Sequence, residues 1–187
     1  MAIWQFHIYF IPKKSLLNKY GVIPQQLIMD KEGWEDYFQS TDLDTKPDFE
    51  DALTISWWLD LNINIDSFLP LVNNFGDIQS WSVNSSGQRR FGNAETNDIS
   101  VCFEDNTNIV EEVSCRLDLR QFDKEFVNKT LHLASQFDCL LMDRQGRLYE
   151  PTLNSLLDTI NLSNANQFVN NPEQFFTDLS KGIVTPE

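Results

Sequence analysis

Cysteine and histidine are scarce in this chain: three and two, respectively, among 187 residues. Cys102, Cys115 and Cys139 stand at unrelated spacings with no Cys-x-x-Cys, which argues against a disulfide framework. With only His7 and His132 to join them, a zinc site lacks its ligands. All three cysteines lie in apolar segments and read as reduced core residues, so a reducing, cytoplasmic setting is expected. No apolar run approaches the roughly 18 residues that span a bilayer. The opening Met1–Ile11 stretch is apolar, but it has no leading Lys or Arg and is interrupted by His7. It runs into Pro12-Lys13-Lys14 where an export signal would have a small-residue cleavage site, so none is expected. Gly-x-Ser-x-Gly, His-Glu-x-x-His, a phosphate loop and a dinucleotide fingerprint are all missing. No cofactor and no catalytic residue are therefore assigned, and no repeat or low-complexity linker divides the chain.

Basic residues are few as well. Fourteen Lys and Arg meet 28 Asp and Glu, for a net charge of −14. Such a chain should repel nucleic acid and anionic membranes, because phosphate binding needs clustered cations. The imbalance is local. Residues 1–29 contain no acid, whereas residues 30–66 hold eleven acids against two lysines, a balance of −9. Six more acids and no base fall between Phe91 and Val113. One reading is solubility; the sharper one is a face that docks a basic protein partner.

What is abundant is apolar surface. Hydrophobic residues make up 41% and aromatics 12%, enough to offset the entropy of folding in a single domain of this length. Trp4, Phe6, Ile8 and Phe10 alternate with polar residues and predict a strand, followed by a short helix over Lys14–Tyr20 that stops at Gly21. Trp34, Tyr37 and Phe38 have helical spacing, yet Gly33 and the surrounding acids predict a long loop over 30–50. Strict alternation from Leu53 to Ile65 predicts a strand, and its thirteen residues are long enough for the segment to bend or to begin as a helix. A helix capped by Asp66 or Ser67 should follow, with Pro70 in its first turn and Gly76 at its stop. Turn residues separate Gln79–Val83, Gln88–Phe91, Ile99–Phe103 and Ile109–Leu119 into a β-meander. Asp123 caps an amphipathic helix reaching residue 137. The segment Cys139–Met142 begins a hairpin that returns through Leu148 and Tyr149. Thr152 and Asn171-Pro172 start helices in a C-terminal segment over 151–182. The expectation is an α+β fold, an antiparallel meander sheet covered by the 123–137 helix.

Few polar constellations stand out. In the strand Arg116-Leu117-Asp118-Leu119-Arg120, alternation puts both guanidiniums and the carboxylate on one sheet face. That face is either an ion-pair ladder or a polar groove for an anionic group. Arg89-Arg90 reads as a solvated hairpin pair, His132 as a surface group and His7 as a structural residue. Asp143, Gly146 and Glu150 depart from the calcium-loop spacing, and Arg144 and Arg147 intrude among them. Of Trp57 and Trp58, alternation buries one and leaves Trp58 for a second packed layer or for an exposed partner anchor.

The motifs "SWWLD", "RLDLR", "FDCLLMD" and "YEPTLNSLL…NQFVNNPEQFF" span about residues 55–180. Over that stretch the chain resembles small uncharacterised bacterial proteins, some of which are predicted immunity proteins of toxin systems. The resemblance implies a bacterial cytoplasmic binder that neutralises a toxin domain. With the charge map, it singles out Asp42, Asp44, Asp48, Glu50 and Asp51 as partner-binding residues, with Trp58 or Trp34 as anchor and a basic toxin domain as partner. The alternative is a small enzyme or ligand-binding protein with a pocket over Arg116, Asp118 and Arg120.

Overall fold

The alternation at Trp4–Phe10 becomes β1 (Gln5–Pro12), and this first strand lies in the interior of a six-stranded sheet. A computed structural model of the chain describes residues 3–39, 47–79 and 86–184. Within them the remaining strands are β2 (Gln88–Gly92), β3 (Asp98–Phe103), β4 (Val110–Asp118), β5 (Cys139–Met142) and β6 (Leu148–Tyr149). All pair antiparallel in the order β2-β3-β4-β1-β5-β6. The first three are three of the four strands of the expected meander. The fold is α+β, with a helical C-terminal segment.

Register then separates two faces. Ile8 stands opposite Cys115 and Phe6 opposite Leu117, while Ile99 meets Cys115 and Val101 meets Val113. All seven side chains are buried. The helix α4 (Lys124–Gln136) covers this apolar face, as its amphipathic stripe requires. The Asp123 carboxylate accepts the Phe126 N–H at 3.0 Å to cap it. Phe126, Val127, Thr130, Leu131 and Ala134 point inward, and Thr130 reaches the Cys115 thiol.

The other helices frame the sheet. They are α1 (Lys13–Tyr20), α2 (Lys31–Gln39), α3 (Ile65–Val72), α5 (Leu153–Asn161), α6 (Asn164–Asn170) and α7 (Pro172–Ser180). Gly21 ends α1 in the left-handed region at φ 72°, where its N–H meets the Leu17 carbonyl at 2.8 Å. Thr152 and Asn171 cap α5 and α7 as expected. The short polar helix α6, capped by Ser163, was not expected, because "NANQFVN" carries almost no apolar stripe. Leu156 and Ile160 of α5 enter the core.

Two expectations are corrected. Leu53–Ile65 is not a strand. Thr54, Trp57, Leu59, Leu61 and Asn62 donate to carbonyls two or three residues back, and Leu59–Leu61 forms a 3-10 turn. Asn62 turns left-handed at φ 50°, and Asn64 then caps α3 by accepting the Asp66 N–H at 2.9 Å. Helix α3 therefore starts earlier than the Asp66 or Ser67 cap implied, and Pro70 lies inside it. Of its thirteen residues only Trp57, Trp58 and Ile65 are buried, and Leu59 is exposed, so the alternation marks no sheet face. Trp57 and Trp58 are both in the core, which a half-exposed strand would forbid. The second correction is α2. Asp30 starts this helix by accepting the Gly33 N–H at 2.9 Å through its carboxylate and the Trp34 N–H at 3.1 Å through its carbonyl. The helical spacing of Trp34, Tyr37 and Phe38 outweighs Gly33, whose cost in a helix is only about 1 kcal/mol. Of the expected Gln79–Val83 strand, Gln79 donates to the Arg90 carbonyl at 2.9 Å; residues 80–83 lie outside the described residues. No described helix is long and apolar enough to cross a membrane.

Candidate functional site: an arginine-lined cleft on the polar sheet face

The side chains that alternate away from α4 share the opposite face of the sheet. Register arranges them in rows. His7, Arg116 and Asp98 lie side by side across β1, β4 and β3. Tyr9, Ser114, Ser100 and Arg90 form the next row, reaching β2. Glu112, Cys102 and Gln88 form a third. All of these but Cys102 line a cleft of about 410 Å³, and Arg144 from the β5–β6 turn joins its wall. That volume lies within the range of small-molecule sites.

Arg116 and Asp98 organise the floor. Arg116 donates from Nε to Asp98 Oδ1 at 2.8 Å and from Nη2 to Oδ2, and a long bond of 3.5 Å runs from Nη1 to Gln5 Oε1. Arg90 Nε stands 3.6 Å from the same Asp98 carboxylate, which is 1% exposed. The paired carboxylate holds the Arg116 guanidinium above its usual pKa. Asp98 thus faces two arginines, Arg116 and Arg90.

The neighbours respond to this cationic field. Burial, followed by the charges of Arg144, Arg116 and Arg90, pulls His7 down to a pKa of about 3, so its imidazole is neutral. Its Nε2 is buried and has no hydrogen-bond partner among the described residues. Burial raises the Tyr9 phenol, against the opposing charge and hydrogen bond of Arg144. Burial also raises the Glu112 carboxyl, opposed by a hydrogen bond from Ser114 and assisted by the charge of Glu111. A histidine titrating near 3 is a poor general base at neutral pH. No three His, Cys, Asp or Glu side chains among the described residues converge as a metal centre would require.

The expected Arg116/Asp118/Arg120 groove splits in two. Arg116 belongs to the cleft. Asp118 is buried and clamps the end of β4 instead, accepting from Arg120 Nε at 3.0 Å, Nη2 at 2.7 Å and the Arg120 N–H at 2.9 Å. This clamp holds the Asp118 carboxyl below its usual pKa. The exposed Arg120 guanidinium lies over the Trp4 ring, 4.2 Å from its centroid. Neither residue lines the cleft.

The expected docking residues disperse more widely. Asp42 and Asp44 lie outside the described residues. Asp48 and Glu50 are exposed, and Glu50 pairs with Lys19 at 2.7 Å. Asp51 is 2% exposed and accepts from Trp34 Nε1 at 2.6 Å and from the backbone of Leu53, Thr54 and Asp30, so it is no surface carboxylate. Trp58 is fully buried; its Nε1 donates to the Phe10 carbonyl at 2.7 Å, and its ring meets Phe68 and Phe137 edge-on. It cannot anchor a partner from there.

Arg90, His7, Tyr9, Asp98, Glu112 and Arg144 were not read as site residues from the sequence. All but Arg144 occupy polar positions of alternating strands, and the signal was available once those strands are folded into one sheet. Arg89 faces the other way, its guanidinium 5.1 Å from the Phe103 ring centroid, as alternation within the Arg89-Arg90 pair requires. Fold and cleft together define an α+β protein whose described residues form a polar cleft on one sheet face. Comparison with protein-family models, curated proteins and solved structures finds no match for the chain.

Proposed function

We propose that the chain binds a small anionic molecule in the cleft over β2, β3, β4 and β1. The observation that carries this reading is a concentration of charge. The chain has a net charge of −14 and six arginines, yet three of the six line one cavity. Planar guanidiniums are the groups best shaped to bind carboxylate and phosphate oxygens. The neutral His7 adds an orphaned nitrogen on the same wall. Isothermal titration with inorganic phosphate and with citrate tests the reading, alongside an Arg144→Gln variant that keeps the sheet ladders intact. Saturable binding by the wild type that is weakened at least tenfold in the variant is expected. No binding of either anion at millimolar concentration ends the proposal.

A second reading keeps the protein-partner expectation and moves it to α2. Phe38 is 66% exposed and stacks on Trp34 at 5.6 Å, with the exposed acids Glu32, Glu35 and Asp36 on the same helix. An immunity-type binder would dock the basic surface of a toxin on such an aromatic patch with an acidic rim. Pull-down from the native host with wild type and Phe38→Ser separates the readings. A partner lost with Phe38 supports docking, and a partner retained by the variant removes α2 from consideration.

A further inference from the structure

Two exposed surfaces of opposite character adjoin each other near the start of the chain. The first is helix α2. None of its residues is buried, although Trp34, Tyr37 and Phe38 run along it as an aromatic stripe. The rings contact one another and Phe49. A stripe of this kind ordinarily faces an apolar layer. Glu32, Glu35 and Asp36 are exposed on the same helix.

The second surface is the end of α1 with the loop that follows it. Leu17, Tyr20, Val22, Ile23 and Ile28 are all exposed, Val22 by 64% and Ile28 by 79%. Apolar side chains exposed in such a group mark contact surfaces more often than isolated ones do. No acid falls within residues 1–29. Lys14 donates to the Asp60 carbonyl at 2.8 Å and Lys19 to Glu50 Oε1 at 2.7 Å, so both ammoniums are held at this surface. Residues 49–54 join it to α2. Glu50 meets Lys19 of α1, the Ala52 N–H donates to the Ile28 carbonyl at 3.0 Å, and Asp51 accepts from Trp34 Nε1 of α2 at 2.6 Å.

We infer that the two surfaces are the complementary halves of a symmetric dimer interface, in which α2 of each copy lies on residues 17–28 of the other. This rests on the reading of α2 as a docking helix, and it names a second copy of the chain as the occupant. Symmetry makes the arrangement self-consistent. A two-fold axis between adjoining surfaces carries each onto its complement, so both are used and the assembly closes at two copies. Charge selects the occupant. A chain with a net charge of −14 repels copies of itself in most orientations. An acidic helix set against the acid-free stretch avoids that repulsion. The aromatic and aliphatic side chains then form the centre of the contact, and the Glu32, Glu35 and Asp36 carboxylates meet the Lys14 and Lys19 ammoniums at its rim.

Sedimentation equilibrium on the full chain tests this. A molar mass near twice the 21.7 kDa of one chain is expected at micromolar concentration. Ile28→Asp and Phe38→Ser should each weaken the dimer by about tenfold or more. Both side chains are mostly exposed, and a circular dichroism spectrum matching wild type confirms that each variant is folded. A charge swap tests the pairing itself. A chain carrying Glu32→Lys, Glu35→Lys and Asp36→Lys presents two basic surfaces, and a chain carrying Lys14→Glu and Lys19→Glu presents two acidic ones. Each alone should dimerise more weakly than wild type, and an equimolar mixture of the two should recover the dimer. A wild type that stays monomeric up to millimolar concentration overturns the inference; a host partner lost with Phe38 would still uphold the docking reading of α2. A dimer that is indifferent to Phe38→Ser, or swapped chains that associate no better mixed than alone, would put the contact elsewhere and overturn it as well.

Discussion

Arg116 on β4 and Asp98 on β3 face each other in register, and the guanidinium closes on the carboxylate through both Nε and Nη2. Because Asp98 is almost wholly buried and also faces Arg90, its charge is what allows two cations to share one sheet face. Asp98→Asn should therefore destabilise the fold by about 3 kcal/mol, the low end for stranding buried partners, since both arginines keep some solvent contact. Urea denaturation measures it. A midpoint shift equivalent to less than about 1 kcal/mol would show that water screens the pair and that the floor of the cleft is not held by charge.

His7 makes stability depend on pH in a stated direction. Unfolded, it titrates near 6.5; folded, near 3, because burial and the charges of Arg144, Arg116 and Arg90 oppose its protonation. Between those values the unfolded chain binds the proton and the folded one does not. Its contribution is therefore complete above pH 6.5 and is lost as pH falls towards 3. The slope is at most about 1.4 kcal/mol per pH unit. Other groups titrate in or near this window. Asp118, depressed, is lost below its ordinary value, and Glu112, raised, works in the opposite sense. A His7→Gln variant isolates the histidine by difference. Denaturant midpoints at pH 7, 6, 5 and 4 should converge for wild type and variant as pH falls. A constant difference would place the folded pKa of His7 near its ordinary value.

The thiols should be inert. Burial pushes Cys102 up to about 12 and Cys115 and Cys139 higher still. At pH 8 a thiol of pKa 12 is ionised in about one molecule in ten thousand, and the thiolate is the reacting form. A disulfide reagent should label none of them within an hour in native buffer and all three at once in guanidinium. Cys102, the half-buried one, is the most demanding case. Its rapid native labelling would mean that the β2–β3 edge opens readily.

How much of this was legible beforehand follows from the range of the interactions involved. Caps at Asp123, Thr152 and Asn171 are local hydrogen bonds, and each reads correctly from neighbouring residues. So do three of the four strands of the meander, those near Gln88–Phe91, Ile99–Phe103 and Ile109–Leu119, whose register is set by turns. The position of β1 does not, because its partners Arg116 and Leu141 lie in the far half of the chain. That long-range pairing is also what brings His7 beside Arg116, so the cleft was invisible for the same reason. Periodicity misled once. In Leu53–Ile65 the alternating residues lie in a series of turns rather than an extended backbone, and Trp58 was misplaced with them. Arg116 and Asp118 share one face of β4, but the strand ends at Asp118 and Arg120 lies in the turn beyond it. Arg116 takes the Asp98 carboxylate that neighbouring β3 delivers, whereas Asp118 takes the guanidinium of Arg120 two residues on.

Asp51 offers the sharpest contrast between a charge counted in sequence and a charge placed in a fold. Its carboxylate accepts the Trp34 Nε1–H at 2.6 Å, the Leu53 N–H at 2.7 Å, the Thr54 N–H at 3.1 Å and the Asp30 N–H at 3.2 Å. It therefore ties α2 to the turn that precedes the buried tryptophans, while Asp48, three residues away, is exposed. Hydrogen bonds to a charged acceptor are worth about 1.5–3 kcal/mol each in mutational series, and they overlap when they share one group. Asp51→Ala should then cost about 3 kcal/mol, and Asp48→Ala should fall within about 0.5 kcal/mol of wild type. Trp34 reports locally, since losing its Nε1 acceptor should shift its indole proton resonance and speed its exchange with solvent. The Trp57 and Trp58 indoles, which donate to the Ala52 and Phe10 carbonyls, should hold theirs. If Asp51→Ala and Asp48→Ala prove equally silent, the carboxylate lies in solvent, and the docking role first suggested for residues 42–51 regains its strongest member.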